Sequence, residues 1–399
     1  MKNAVGLNQT PRLSTNHRVL LRLLSSQENL SRRDLAKQMQ ITPAALTHLS
    51  ADLLRWKLVK EHGILNEPHR VGRKKIRLTI NAQYKSIIAL SLSPNRVQIA
   101  ITNLLGRVTA QREIALIADQ QSVGEYIQQL SQAILALTQQ QRLTPNKILG
   151  VGVSIPQPID EHGVTIPHLH GIWSVPVAIK ELLANALPYD IYVDYDLYAF
   201  MKAHLIFLPL QQYQDILFIE WSDHLEASLV IGGKIYQPAY RDRLSLAHYL
   251  VEPDGRPCHC GRRGCLEQYI STAQLLQAMQ ATAIDGHSMT HVELASLLEQ
   301  ADQEPQAIAS EYLAIWQDAV RKMAHVVLNV TSIFQPQYII CLGFLFEQNW
   351  IYRQVVETLV SEDPNYPIQL FQRSSLRYQR SIISGVSSVT SATIFLTSK

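Results

Sequence analysis

The chain has 399 residues and a formal charge of +3, from 36 Lys and Arg against 33 Asp and Glu, and 47% of its residues are hydrophobic. That is enough for a sizeable core in two or three domains of roughly 100–200 residues each, and it excludes wholesale disorder. No apolar run approaches the roughly 18–20 residues of a membrane span, no continuous apolar leader opens the chain, and four cysteines do not make a disulfide scaffold, so a cytoplasmic protein without membrane contact is expected.

The charge is segregated. Residues 1–80 hold fifteen Lys and Arg against five acids, a net +10, while the remainder holds 21 against 28, a net −7. A basic head on an acidic body suggests that the head meets a polyanion; the bland alternative is a solvated basic face. Thr15 to Leu24 carries a helical stripe at Val19, Leu20, Leu23 and Leu24. Ser31 and Asp34 stand in the S-x-x-D relation, a capping-box-like start to a second helix with Leu35 and Met39 as its apolar pair. Thr42-Pro43 opens a third, a cap residue followed by proline at the first helical position. The short link from Met39 to Thr42 suits a helix-turn-helix. The helix from Thr42 to Arg55 is then the recognition helix, presenting Thr42, Ala44, Thr47 and His48 to base edges. Leu58-Val59 and the alternating Lys75 to Ile80 read as a wing hairpin whose basic loop holds Arg70, Arg73 and Lys74 around Gly72. Those side chains suit a minor groove or phosphates, and Arg32, Arg33 and Arg55 are further phosphate candidates. A three-helix protein-docking module is the alternative.

The body alternates strands and helices. Ser86 to Leu92, Arg96 to Thr102 and Arg107 to Leu116 read as successive strands, Val123 to Gln140 as a helix and Ile148 to Ser154 as a buried strand. Val177 to Ala186 reads as helix, Ile191 to Val193 as strand and Leu197 to Ile206 as helix. Ile216 to Glu220 and Glu226 to Ile231 begin a second run of strands; helices then dominate, notably Gln306 to Asn329, before a late strand at Tyr338 to Leu342. The pattern, begun twice, predicts a duplicated α/β architecture with a cleft between lobes.

Three of the four cysteines, Cys258, Cys260 and Cys265, fall within eight residues, ten residues after His248. Three thiolates and an imidazole complete a closed tetrahedral zinc site, which leaves no open position for an activated water and so favours a structural role. Gly261 and Gly264 allow sharp turns between ligands. His259 competes as a ligand from an awkward place between two cysteines, and Cys341 reads as core. Free buried thiols beside an ordinary histidine are the other reading.

The stretch Ala247-His248, followed by Cys258-His-Cys260-Gly261-Arg-Arg-Gly264-Cys265-Leu-Glu267, resembles the signature of the ROK family, named for repressors, open reading frames and kinases. Val151 to Pro156, Leu169 to Trp173, Ile191 to Asp196 and Pro336 to Gly343 resemble further family segments in the expected order. The resemblance covers nearly the whole chain. It implies a winged helix-turn-helix before an actin/hexokinase-like sugar-kinase body, bound zinc, and homodimers or tetramers. It also implies kinship with glucose- and N-acetylglucosamine-responsive repressors.

The departures are as informative. A D-x-G-x-T phosphate turn is expected where the chain has Ser91-Leu92-Ser93-Pro94-Asn95, and the second phosphate loop reads Trp221 to Ala227 with no glycine and two acids. Acids repel polyphosphate and bulky side chains block the backbone's approach to it, so neither ATP binding nor kinase activity is expected, although Asp196 matches the catalytic base. In the sugar site the family's glutamate is Ser245, a glycine is Ala247, the asparagine before the aspartate is Tyr195, and the glycine after Pro156 is Gln157. Trp173, Asp196, His248 and Glu267 remain as candidate ligand-binding residues, unless the acids are relics serving the fold.

The sequence therefore predicts a winged helix-turn-helix at 1–82, a first α/β lobe at 83–200, and a second lobe at 201–399 with the zinc site and a helical dimerisation region. The expected function is a non-enzymatic repressor of carbohydrate uptake or metabolism genes. Its partners would be operator DNA, further copies of the chain, and a sugar or sugar-phosphate effector. The rivals are a sugar kinase with a DNA-binding head, and a regulator whose body binds a sugar-transport phosphotransferase protein.

Overall fold

Three polar side chains start the first three helices. Ser14 caps α1 (Thr15–Ser26) and Ser31 caps α2 (Arg32–Gln38), each in a capping box, and Thr42 caps α3 (Pro43–Arg55). Each cap oxygen satisfies a backbone N–H that the first turn leaves open, an effect of about 1 kcal/mol. Leu20, Leu21, Leu35, Leu46, Leu53 and Leu58 are buried between these elements. β1 (Val59–Leu65) pairs antiparallel with β2 (Lys75–Ile80), giving the order of a winged helix-turn-helix. The structure is a computed structural model that describes residues 11–27, 30–65, 75–167, 171–223, 225–236, 245–282, 289–304, 308–376 and 380–396. The loop bearing Arg70, Arg73 and Lys74 lies outside them.

The chain forms two units, residues 1–211 with 379–399, and residues 212–378. In the first, β3 (Ser86–Ser93), β4 (Arg96–Thr102) and β5 (Val108–Ala115) form an antiparallel meander. α4 (Val123–Gln140), β6 (Ile148–Ile155), α5 (Ile179–Ala186), β7 (Ile191–Tyr195) and α6 (Asp196–Phe207) follow. The sheet order is β5-β4-β3-β6-β7, with β6 parallel to both neighbours. Every residue of β6 is buried, as expected of a parallel strand covered on both faces, and this is why it reads as a continuous apolar run.

The second unit repeats the plan. β8 (Ile216–Trp221), β9 (Leu225–Ile231) and β10 (Lys234–Ile235) form the meander. After α7 (Glu267–Ile270), α8 (Thr272–Thr282), α9 (His291–Gln303) and α10 (Ser310–Phe334) come β11 (Tyr338–Leu342), α11 (Phe344–Glu347), α12 (Asn349–Glu362) and β12 (Phe371–Arg373). The order β10-β9-β8-β11-β12 matches the first sheet strand for strand, with β11 parallel to β8 and β12. The duplication expected from the pattern is thus present in the topology.

The expected division into domains is corrected in two places. α6 continues the first unit past residue 200, and α13 (Arg380–Thr390), with the π-helical turn Ser391–Phe395, returns from the chain's end to join it. The head packs into this unit through α1, which lies against β2 and α3 on one side and α6 and the Ser391–Phe395 turn on the other. Helix boundaries also move, α10 for one starting at Ser310 and not Gln306. α5 starts at Ile179, not Val177, because Val177 exchanges hydrogen bonds with Thr165. α10 runs to Phe334, five residues past the expected end, where Gln335 turns left-handed. Among the described residues no helix is long and apolar enough to cross a membrane.

Candidate nucleic-acid interface and metal centre

On α3, Leu46, Ser50 and Leu53 face the core, which turns Ala44, Thr47 and His48 outward. Thr42, Ala44, Thr47 and His48 are all exposed on the first turn and a half, as the recognition reading requires. The two threonines are already partly engaged: Thr42 Oγ1 accepts from Ala45 N at 3.2 Å, and Thr47 Oγ1 donates to Pro43 O at 2.8 Å. Thr47 therefore offers an incoming base its methyl group and acceptor lone pairs. Arg33 is exposed, whereas Arg32 pairs with Glu61 at 2.7 Å and Arg55 pairs with Asp52 at 2.8 Å and lies over Trp56. Internal ion pairing reduces what Arg32 and Arg55 can give to a phosphate.

The metal group is built by a tight loop. His248 ends the 3-10 turn Leu246–His248. The chain then reverses so that Leu250 pairs with Cys265 and Pro257 with Arg263. Gly264 holds φ +74°, and a Cβ there would lie 1.6 Å from Glu252 O, so no other residue fits. One donor atom each from His248, Cys258, Cys260 and Cys265 lies within 4.8 Å of the others. Cys260 Sγ is 3.7 Å from Cys265 Sγ, and Cys258 Sγ is 3.5 Å from His248 Nδ1. A tetrahedral zinc with bonds of about 2.3 Å to sulfur and about 2.0–2.1 Å to nitrogen requires edges of about 3.8 and 3.6 Å, which these two edges match.

Glu267, the first residue of α7, stands beside the set. Its Oε1 accepts from Cys258 Sγ at 2.8 Å and lies 3.3 Å from His248 Nδ1 and 3.1 Å from His259 Nδ1. Burial works to raise its pKa, but the hydrogen bonds from His248 and Cys258 bring it down to about 2. Burial likewise opposes ionisation of Cys260, yet hydrogen bonds from Arg262 lower that thiol to about 6. Burial pushes Cys258 well up. His248, His259 and Glu267 form a second, overlapping group with metal-holding geometry, so His259 is closer to the centre than its sequence position suggested.

The other ligand-site candidates are spread over both units. His248 and Glu267 belong to the second, Trp173 and Asp196 to the first. Asp196 is the first residue of α6, and its Oδ2 is 3.1 Å from Arg380 Nη2. Trp173 is corrected: it is 5% exposed and packs edge-on against Tyr126 in the core, leaving no open face for a sugar ring. Gln157 explains this burial. Its Oε1 accepts from Ile172 N at 2.7 Å and Trp173 N at 3.1 Å, while Nε2 donates to Ile166 O and Trp173 O. The side chain that replaces the family's glycine thus ties the loop down. No sequence signal gave this role, nor that of Arg380.

Both phosphate turns lie at hairpins. Pro94-Asn95 joins β3 to β4, and residues 222–224 join β8 to β9. Around the second, buried Glu220 lies opposite Glu226 in register, and Asp223 Oδ1 is 3.0 Å from His291 Nε2. Three carboxylates surround the turn where a nucleotide-binding chain would place backbone N–H groups toward phosphate.

A duplicated α/β fold preceded by a winged head and carrying this cysteine loop defines a class. The model of the ROK family matches residues 87–387, three quarters of the sequence, and the chain belongs to that family. It is similar to the DNA-binding transcriptional dual regulator NagC of Escherichia coli (strain K12), 22% identical over 87% of this chain and 84% of the relative. It is also similar to the xylose repressor of Caldicellulosiruptor bescii, 22% identical over 84% of each. Its fold matches the crystal structure of a ROK family transcriptional regulator, homologue of the E. coli Mlc protein, with a TM-score of 0.71 and 19% identity over 95% of this chain and 96% of that one.

Proposed function

We propose that the chain is a DNA-binding transcriptional repressor of carbohydrate uptake or metabolism genes whose kinase-like body senses and does not catalyse. The observation that carries the reading is the exposed first turn of α3, with Thr42, Ala44, Thr47 and His48 outward, on a head of net charge +10. Relatives named N-acetylglucosamine repressor and xylose repressor support it. As a homodimer, two α3 helices enter successive major grooves while Arg33 and the wing cations neutralise phosphates. Selection of binding duplexes from a random pool checks this: recovered sequences should share two half-sites about 10 base pairs or a multiple apart, and a pool without enrichment at physiological salt would refute it.

The body's expected inactivity as an enzyme rests on the acids around the β8–β9 turn, since phosphoryl transfer depends on neutralising phosphate charge. A coupled ATPase assay with a hexose panel should show no turnover. A structural zinc held by His248, Cys258, Cys260 and Cys265 would fix the loop by four ligands. Elemental analysis of the purified chain should give one zinc per chain, and Cys265→Ser should abolish it. For the effector we favour a sugar or sugar phosphate contacting the body, with Asp196 the candidate residue in the first unit and His248 and Glu267 the candidates in the second. Ser245 in place of a second acid favours the alternative, a phosphotransferase-system protein docking on the body. Calorimetry with sugars and sugar phosphates separates the two.

A further inference from the structure

Two helices of the first unit run side by side from the candidate effector position to the DNA-binding head. α6 begins at Asp196 and α13 begins at Arg380, and these two residues form an ion pair with one N···O distance of 3.1 Å. Next along both, Ser387 Oγ donates to Ala199 O. At the far end Phe207 packs edge-on against Phe395, with ring centroids 6.1 Å apart. The three contacts occur in the same order along both segments, so the helices are parallel. α6 has 12 residues, about 18 Å of helix.

The far end is where the head is seated. Ser25 Oγ of α1 donates to Ile206 O at 2.6 Å, Gln211 Nε2 donates to Ser26 Oγ at 2.8 Å, and the Ser391–Phe395 turn packs on α1. α1 also packs on α3. Whatever sets the relative placement of α6 and α13 therefore sets the seat of the helix that carries α3. On its other side α13 lies against β6, where a Cβ on Gly152 would lie 1.8 Å from Gly385 O, and Ser384, Ser387 and Ser388 are buried. The turn at Ser391–Phe395 is π-helical, a local departure from regular helix of the kind found at functional sites.

We propose that the Asp196–Arg380 ion pair is a clasp that sets the register of α13 along α6 and, through it, the seat of α1. Arg380 is then a positioning residue for Asp196, held in turn by the face of Phe200, 5.2 Å from its guanidinium carbon. The clasp itself is independent of the sensor reading; its use in signalling rests on that reading, because a ligand hydroxyl donating to Asp196 competes with Arg380 for the same carboxylate. Coupling of this kind changes affinity at a second site by about 5- to 150-fold.

The test is amide hydrogen exchange on the full-length chain, followed by binding to a duplex selected with the unmodified protein. Arg380→Gln and the near-isosteric Asp196→Asn should both speed exchange in Thr15–Ser26 and 391–396 while the second unit exchanges at its normal rate. Arg380→Lys should keep most of the protection. The charge swap Asp196→Arg with Arg380→Asp should restore it where either single change loses it, an outcome that simple loss of packing does not give. In the two loosened variants duplex affinity should fall by at least about fivefold. Unchanged exchange in both segments for Asp196→Asn and Arg380→Gln, or a swap no better than its components, overturns the clasp. Exchange reports on it without DNA or sugar, so loosening in a protein that selects no duplex supports the clasp and refutes only the DNA-binding reading.

Discussion

Gln157 shows how much one side chain decides. Its two amide atoms make four hydrogen bonds to the loop that carries Trp173, at complete burial. Gln157→Ala leaves the N–H groups of Ile172 and Trp173 without that acceptor, and each unsatisfied group costs about 1–3 kcal/mol. A urea melt should show a fall of that order, with faster quenching of Trp173. His204 gives a second test at this scale. It is fully buried in α6 with Nδ1 2.8 Å from Phe200 O, and burial lowers its pKa from 6.5 to about 4. In the unfolded chain it titrates near 6.5, so between those values the unfolded state binds the extra proton. Its contribution is full above pH 6.5 and is lost as pH falls to 4, about 3 kcal/mol in all. His204→Leu should lose less stability than the unmodified chain between pH 7 and 4.5, as read from urea midpoints; equal losses would place the acid sensitivity elsewhere.

At the scale of elements, what the sequence revealed was local. The three caps, the apolar stripe of α3 and the cysteine loop each lie within a short stretch, so spacing alone places their residues together. The strands of both meanders, apart from the two-residue β10, were legible for the same reason. α13 was not legible: its buried residues dilute Ile383, Val386 and Val389 with Gly, Ser and Thr, and its partners on α6 lie more than 180 residues away. Trp173 was misjudged because an aromatic beside Gly171 in a loop looks alike whether it covers a ligand or fills a core; only the Gln157 bonds distinguish them. The tolerance for α13 is narrow. A methyl group on Gly152 would overlap Gly385 O, which belongs to a backbone and cannot swing aside. Gly152→Ala should destabilise the first unit by about 1–3 kcal/mol or more, seen as a lower melting temperature. Adding the same methyl group at Gly232, where nothing lies within 4 Å, should cost only the strain of its left-handed backbone.

For the whole molecule, the charge of +3 is the sum of a +10 head and a −7 remainder. On the proposed function the two have different tasks: the head gathers phosphates while the acids at the β8–β9 turn repel them. This division predicts a specific salt dependence. Each phosphate neutralised releases counterions and contributes about −0.9 to the slope of log affinity against log salt. Arg33 is exposed on the second helix, and Arg33→Ala should reduce the slope by about 1 per head, or about 2 for a dimer on two half-sites. Arg353 in the second unit pairs with Asp302 at 2.9 Å, and Arg353→Ala should leave the slope as it was. Fluorescence anisotropy of a labelled duplex across a salt series measures both. If the two variants lowered the slope equally, the polyanion would be touching the body as well, and the segregation of charge would have lost its functional meaning.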